Sequence, residues 1–420
     1  MGKNIWIFHH YATPPTMSGL IRPYQFGKHL KNKGYDCKVF SSAYLHYTKE
    51  NLISDNSKYK IQVTDEIPFI FVRSTEYKDN GLSRVINMFS FTYNLFFVAQ
   101  TFAKKEKPDI IYASSPHPLT MVAGIIIAKK LKIPCICEVR DLWPEAIFAV
   151  GKAKEGSRLG KLLVAGEHWI YKKADALVFL KEGDTNYLKE RKWTQEQGGD
   201  IDFKKCYYIN NGVDIEVFNK EIEENQLDDK DLNDDSFKVM YVGSIRTVND
   251  VGSLLDAAKL LKEIKKIKFL IYGTGDQVDF LKKRIIDEEL TNVKLKGYIA
   301  KCYIPYILSK SSVNILNYSQ SHYNWSRGNS SNKLFEYMAS GKPIISTVKM
   351  GYCILEKYQC GLSLNKPTSE ELAKTILKVY NMPQEQYNRL CQNAKKAAGD
   401  FDYKILTDKL IQVIERVLQA

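Results

Sequence analysis

Residues 329–345 read NSSNKLFEYMASGKPII, and the order of signals within them sets the architecture. From Ser331 onward Leu334, Phe335, Met338 and Ala339 fall on one side at helical spacing, Gly341 is a stop, and Pro343 to Ser346 read as a short strand. A helix and a strand within this one stretch make the repeating unit of an α/β sheet. The spacing puts Asn332 and Lys333 in the helix's first turn, where unpaired N–H groups and a partial positive charge suit a phosphate. Glu336 lies one turn on, where a fixed carboxylate could accept two hydrogen bonds from a sugar diol; an arbitrary helix glutamate is otherwise a solvated residue.

The same alternation runs outward in both directions. Strand patterns fall at 4–8, 36–41, 67–72, 109–112, 134–139, 176–180 and 206–209, then at 238–242, 268–272, 293–295, 313–316, 343–346 and 361–363, with helical patterns between them. This predicts two α/β halves with parallel sheets covered by helices, and 420 residues exceed one ordinary core. The expected division is a first domain at 1–218, an acidic connection at 219–236 without apolar periodicity, a second domain at 237–399 and a C-terminal helical segment at 400–420.

Composition narrows the class. With 44% hydrophobic and 26% charged residues the chain is neither disordered nor fibrous. Eight scattered cysteines without C-x-x-C spacing favour reduced thiols over disulfides or zinc. The apolar run at 5–8 is too short for a signal-peptide core, and no stretch reaches the ~18 uncharged residues of a membrane span. The net charge of +13 falls more heavily on the first half; no nucleic-acid motif is present and the lysines are spread over helix faces, which reads as simple solvation with some attraction to an anionic membrane surface.

Open α/β sheets bind ligands beyond the carboxyl ends of their strands, so the loops there were read for chemistry. After the first strand, HHYATPPTMSGLIR stiffens at Pro14 and Pro15, while Ser18 and Gly19 allow close backbone approach; a plain strand-to-helix turn is the other reading. It is not a G-x-G-x-x-G dinucleotide loop. CEVRDLWPEAI gathers Arg140, Asp141, Trp143 and Glu145, either as cleft residues or as a local ion pair beside a core tryptophan. His117, in YASSPHPLT, reads more readily as structural. In the second half Gly243, Ser244 and Arg246 follow one strand, Gly273 and Gly275 the next, and Tyr298 and Ile299 a third. The first of these turns suits a diphosphate with a basic partner, and the third a base that stacks on or bonds to the backbone. Asp200-Ile201-Asp202 has the look of a metal-binding acidic pair, yet lies in a polar glycine-rich loop away from these turns and reads as surface.

Residues 82–107 carry one apolar row at 82, 85, 86, 89, 93, 96 and 97 and a second at 88, 91, 95 and 98. Arg84, Asn87 and Asn94 argue against spanning, which leaves a core helix or a monotopic surface helix.

Taken in order, PPTMSGLIR, EVRDLWPEA, INNGVDIEVF, YVGSI, YGTGDQ and NKLFEYMASGKPII resemble the family 4 retaining glycosyltransferases of the GT-B type. The likeness covers nearly the whole chain and is closest to the bacterial branch of O-antigen, capsule and exopolysaccharide assembly. It implies two Rossmann-like domains facing across a cleft, with the final helix crossing back to the first. It also implies a nucleotide-sugar donor, UDP ahead of GDP, held mainly by the second domain. A lipid-diphosphate-linked sugar would be the acceptor on the first, at the inner face of the cytoplasmic membrane, with no cofactor and no metal. By this resemblance Glu336 binds the ribose, and the amides around Asn332, Lys333 and Leu334 bind the diphosphate. Gly243, Gly273, Tyr298 and Ile299 complete the donor rim. Arg246 and Lys333 meet phosphate, Gly19 gives backbone access, and Arg140 and Asp141 contact donor sugar or acceptor. The chain departs from the family pattern in three respects. Gly328 stands where a second glutamate is common, Ser244 and Asn249 where a basic pair is usual, and Arg140 or Asp141 where a histidine is common. A catalytically silent nucleotide-binding partner is the alternative, and a Rossmann oxidoreductase is disfavoured by the missing fingerprint.

Overall fold

The strand Asn4–Phe8 (β1) is buried at all five positions, as an apolar run without alternation requires when both faces of a sheet are covered. The computed structural model describes residues 2–17, 19–79, 81–149, 151–320 and 325–419. The chain divides into two compact units, residues 1–210 with 406–420, and residues 211–405.

In the first unit β1 is joined by Asp36–Ser42 (β2), Tyr59–Thr64 (β3), Ile67–Val72 (β4), Ile110–Ser115 (β5), Cys135–Val139 (β6), Ala176–Phe179 (β7) and Cys206–Tyr208 (β8). Their order is β3-β4-β2-β1-β5-β6-β7-β8. Every pairing is parallel except β3 with β4. The sequence reading missed β3 because its apolar residues face outward: Ile61 and Val63 are 50% and 61% exposed. An antiparallel edge strand of that kind has no core pattern to betray it.

The second unit holds Phe237–Val242 (β9), Ile267–Tyr272 (β10), Val293–Gly297 (β11), Val313–Leu316 (β12), Ile344–Ser346 (β13) and Gly361–Ser363 (β14). All are parallel, in the order β11-β10-β9-β12-β13-β14. In both sheets the first strand is flanked by one strand reached directly and one reached after the chain reverses direction. The carboxyl ends of β1/β5 and of β9/β12 are therefore topological switch points, where open sheets present their ligand crevices.

Helices Arg22–Asn32 (α1), Leu82–Ala103 (α2) and Pro118–Leu131 (α3) cover the first sheet. On α2 the two apolar rows separate except at Phe96, which belongs to the outer row yet is half-buried against the core. Met88, Phe91, Leu95 and Val98 are buried, whereas Leu82, Val85, Ile86, Phe89, Tyr93 and Phe97 are exposed. Beneath it Trp6 and Phe40 pack at a ring-centroid distance of 4.9 Å within the first unit's core; burying one such side chain contributes roughly 1.5–3 kcal/mol.

Two expectations need correcting. The acidic stretch 219–236 is not a bare connection: it contains most of the helix Ile215–Glu224 and the helix Lys230–Asn233. Asp214 caps the former by accepting from Val217 N–H at 3.1 Å, and Phe218 anchors it in the core. The break between units falls earlier, at 210/211. Near the C-terminus, the helix Tyr403–Gln419 begins in the second unit and continues in the first. There Glu415 accepts from Lys3 Nζ at 2.5 Å and Tyr35 OH at 2.7 Å.

A buried ion pair ties the carboxyl ends of the first sheet together. Arg22 Nε meets Glu138 Oε2 at 2.7 Å, with both side chains almost inaccessible. The guanidinium also donates to the carbonyls of Asn210 and Ile209, at 2.5 and 2.8 Å. Ser114 Oγ and Tyr112 OH complete the carboxylate's shell, each at 2.5 Å. Removing one partner leaves a buried charge uncompensated, at a cost of about 3–5 kcal/mol. Arg22→Met should lower the unfolding free energy by roughly that amount, read as a reduced urea midpoint at constant slope; an unchanged midpoint would show that the pair contributes nothing net.

Candidate functional site

Apart from Gly19, the donor-side residues predicted from sequence lie within the second unit. Their site is built first from backbone. The turns after β9 and β10 are stitched together: Gly243 N–H donates to Tyr272 O at 3.0 Å, and Ile245 N–H to Thr274 O at 2.8 Å. Contact is so close that a Cβ on Gly273, where φ is +142°, would lie 1.8 Å from Gly243 O.

The helix Asn332–Ala339 is pinned over these turns by Tyr337. Its hydroxyl accepts from Val242 N–H at 3.0 Å and donates to Val242 O at 3.2 Å. No side chain caps the helix; Leu334 N–H donates to Ser331 O at 3.2 Å, which leaves the amides of Asn332 and Lys333 for a ligand. Lys333 reaches back across Gly243, where a Cβ would come within 2.9 Å of its Cδ. Its ammonium lies 4.7 and 4.5 Å from the ring centroids of Tyr241 and Tyr318 and 3.2 Å from Tyr241 OH. This cation–π arrangement was not legible in the sequence. Burial pushes Lys333 down to about 7, with Glu336 opposing. Burial pushes the Glu336 carboxyl up, against the pull of Lys301 and Lys333. Glu221, also raised by burial, feels both Lys301 and Glu336. Lys301 and Glu221 thus join the site unannounced by any motif.

The remaining predicted residues divide. Leu334 is fully buried core, Asn332 and Arg246 are exposed, Tyr298 is exposed and Ile299 half-buried. Ser244 and Asn249 bond each other, Oγ to Oδ1 at 2.9 Å. Gly328 has φ +105°, a conformation that L side chains rarely adopt, so a glutamate there would be strained.

Arg140, Asp141 and Gly19 belong to the first unit, and Ser18 lies outside the described residues. Arg140 turns inward, its Nη1 3.8 Å from Glu138 Oε1, rather than pairing with Asp141 or Glu145. Asp141 is exposed, 3.9 Å from Lys181 Nζ. Trp143 is half-buried and donates from Nε1 to Pro116 O at 3.2 Å. Gly19 is held against Thr13, whose Oγ1 would be 2.2 Å from a Cβ, so its missing side chain serves the loop's own packing. Asp200 pairs with His168 and Lys172, each at 2.8 Å, and Asp202 accepts from Lys204 N–H at 2.9 Å. Among the described residues no group of three or more His, Cys, Asp or Glu side chains could hold a metal ion.

Solved structures share the architecture. Sucrose-phosphate synthase from Thermosynechococcus elongatus superposes with a TM-score of 0.73 at 16% identity, covering 99% of each chain. A UDP-forming α,α-trehalose-phosphate synthase from Burkholderia xenovorans gives 0.71 at 12% identity over 100% of both. Anabaena HepE in complex with UDP gives 0.68 at 16%, over 99% of this chain and 100% of that one. At these identities the likeness establishes the fold, that of a GT-B glycosyltransferase. Residues 222–397 match the family model for glycosyl transferases group 1, and residues 67–197 that for the glycosyl transferase 4-like domain. The two models support a GT-B glycosyltransferase of the family 4-like kind. A comparison with curated protein sequences gave no match.

Gly273→Ala should abolish the stitched turns and cost several kcal/mol, whereas Gly297→Ala should cost about 1 kcal/mol. Gly297 has φ +75° but nothing within 4 Å of its Cβ position. Equal thermal shifts in the two variants would refute the close-approach argument.

Proposed function

We propose that this chain is a retaining glycosyltransferase that moves a sugar from a UDP-sugar to a lipid-diphosphate-linked acceptor in bacterial surface polysaccharide assembly. The observation that carries the reading is the pairing of Lys333 over Gly243 with Glu336 one turn along, above glycine turns that no side chain could replace. A diphosphate resting on the first-turn amides would meet the Lys333 ammonium, and a ribose diol would meet Glu336. Several of the structural neighbours were solved with UDP or a UDP-sugar bound, which supports that choice of donor.

In this reaction the acceptor hydroxyl attacks from the side on which the nucleoside diphosphate departs. The departing phosphate takes the proton, and the anomeric configuration is kept. The protein's part is positioning and charge stabilisation. Lys333, Arg246 and the helix amides offset the leaving charge without a metal, while Arg140 and Asp141 are assigned to donor sugar or acceptor.

The exposed face of α2 supports an acceptor presented at a membrane. Leu82, Phe89 and Tyr93 are 74%, 58% and 64% exposed along one stripe. Lys104, Lys105 and Lys107 follow the helix, and Lys58 lies 5.4 Å over the Phe97 ring. An apolar stripe edged by lysines fits the interface of an anionic bilayer. No described helix is long and apolar enough to cross one. A peripheral place on the inner face of the cytoplasmic membrane is therefore proposed with the function. Gly328 and the neutral Ser244–Asn249 pair favour one competing reading, a silent nucleotide-binding partner.

Nucleoside diphosphate release from a panel of UDP- and GDP-sugars, with and without membranes, separates the two. Turnover of one donor that collapses at least tenfold in Glu336→Ala supports the transferase; binding without turnover on every donor supports the silent partner. Lys333 adds a pH signature. Its free value of about 7 should rise beside a diphosphate, so the complex takes up a proton. Affinity for UDP should then weaken as pH climbs above about 7, by up to tenfold per unit, and calorimetry in two buffers should show proton uptake that Lys333→Met removes. Phe89→Ser with Tyr93→Ser should cut co-sedimentation with phosphatidylglycerol vesicles tenfold or more while UDP affinity holds; unchanged sedimentation would remove α2 as the membrane face.

A further inference from the structure

A half-open cavity of about 220 Å3 lies beyond the carboxyl ends of β12, β13 and β14, among residues of the second unit. Its lining includes none of the residues assigned above to the donor: Gly243, Lys333 and Glu336 stand elsewhere. The volume is several times the roughly 30 Å3 that one water occupies in the liquid. Leu364 and Leu372, both buried, form the floor. The helices Gly252–Leu260 and Ser369–Tyr380 reach the cavity with their amino ends, which brings Ser253 and Ser369 to its wall.

The hydrogen bonds already made decide what this wall has left to offer. Ser253 Oγ donates to Asp250 O at 2.7 Å, and Ser369 Oγ donates to Ser253 O at 3.2 Å. Each hydroxyl has committed its one hydrogen to backbone, so towards the cavity both can only accept. The Asp250 carboxylate lines the same wall and adds acceptor capacity, about four lone-pair sites on its two oxygens. The helix amides are engaged as well: Ser253 N–H donates to Asp250 O at 3.1 Å, and Glu371 N–H to Thr368 Oγ1 at 3.3 Å. One lining group is a donor. Gln320 Oε1 accepts from Lys349 N–H at 3.1 Å, which leaves the Gln320 amide hydrogens for the cavity.

Charge narrows the choice of ligand. No lysine or arginine stands among the described lining residues, and an anion with no hydrogen to give would meet Asp250 and two hydroxyls that only accept. A cation would face the positive ends of two helix dipoles and leave the Gln320 amide without an acceptor. A neutral molecule with several hydroxyls and an apolar face satisfies wall and floor together. Its hydroxyls give hydrogens to Ser253, Ser369 and Asp250 and accept from Gln320, while its C–H groups lie on Leu364 and Leu372. A pyranose ring is such a molecule.

We propose that this cavity binds a neutral sugar and is coupled to Lys333 through Tyr318. Tyr318 belongs to both places: it lines the cavity, and its ring centroid is 4.5 Å from the Lys333 ammonium. Its N–H donates to Thr347 Oγ1, another lining group, at 3.1 Å. A second tie runs through the neighbouring Asn317, fully buried, whose Nδ2 donates to the carbonyls of Asn249 and Asp250, each at 2.7 Å. That fastens the cavity to the turn after β9. A sugar that holds Tyr318 in place holds one wall of the lysine's cage, so sugar and nucleoside diphosphate should strengthen each other's binding by the same factor. The coupling rests on the donor-site reading; the sugar assignment rests on the cavity's own contacts.

The test is a methyl NMR spectrum of the full chain labelled at leucine, titrated with methyl α-glucoside, methyl α-galactoside and N-acetylglucosamine, and with inorganic phosphate and methylammonium as controls. At least one sugar should shift the Leu364 and Leu372 methyls saturably, and neither control ion should move them. Ser369→Trp, which fills the cavity from its wall, should weaken that sugar about tenfold or more and leave UDP affinity, measured without sugar, unchanged. If the bulky variant does not fold, Ser253→Ala, which removes one acceptor, should weaken the sugar about three- to tenfold. Saturating sugar should tighten UDP binding about fivefold or more, and Tyr318→Leu should remove that gain. Methyls that ignore every sugar while UDP still binds would overturn the inference, and a shift with phosphate or methylammonium would overturn the neutral-sugar assignment. Sugar binding that leaves UDP affinity unmoved would overturn the coupling. A protein that binds sugar but no UDP would instead point to failure of the donor-site reading.

Discussion

The Tyr337 hydroxyl, held by both the N–H and the carbonyl of Val242, is the constraint on which the geometry of the candidate site depends. A strand end and a helix start are otherwise joined only through loops, and loops alone position side chains loosely. Here one phenol fixes the helix bearing Lys333 and Glu336 against the strand that ends at Gly243. Placement of a charged lysine over a backbone turn then follows, because the same strand supplies Tyr241 as one wall of its cage. The glycines are the complement of that bond: once helix and strand are fixed, no space is left for a Cβ.

Much of this was legible in the sequence, for physical reasons. Core strands of parallel sheets are buried on both faces, so their apolar runs stand out, and 12 of the 13 expected strands were overlapped to within about a residue or two at each end, β5 running three residues further. The helix around Glu336 was bounded correctly because Ser331 and Gly341 carry its stop signals; Gly341 has φ +65°. What could not be read is what depends on meetings distant in sequence. Tyr241 and Tyr318 lie in or just after strands, where an aromatic residue reads simply as core. Lys301 and Glu221 look like solvated surface charges until the elements carrying them converge. Arg140 reads in the sequence either as a cleft residue or as half of a local pair with Asp141 or Glu145, and neither reading points to Glu138, two residues away on the same strand end, as the carboxylate it lies beside.

The two units manage charge in contrasting ways. In the second, burial leaves Lys333 easily deprotonated and Glu336 easily protonated, so each resists ionisation until something compensates it. In the first, the large buried charge is settled within the protein: Arg22 and Glu138 satisfy each other and their neighbours. One arrangement is poised for a visitor, and the other is a brace.

Gly328 bears on how this chain could change. Its backbone, at φ +105°, suits no ordinary side chain, so a glutamate introduced there would meet strain before it could offer a carboxylate. A second carboxylate at this position is therefore not one substitution away. The loop would have to be rebuilt first, through intermediates with no carboxylate to gain from the change. A barrier of that kind directs any redesign of this turn towards the loop's course before its chemistry.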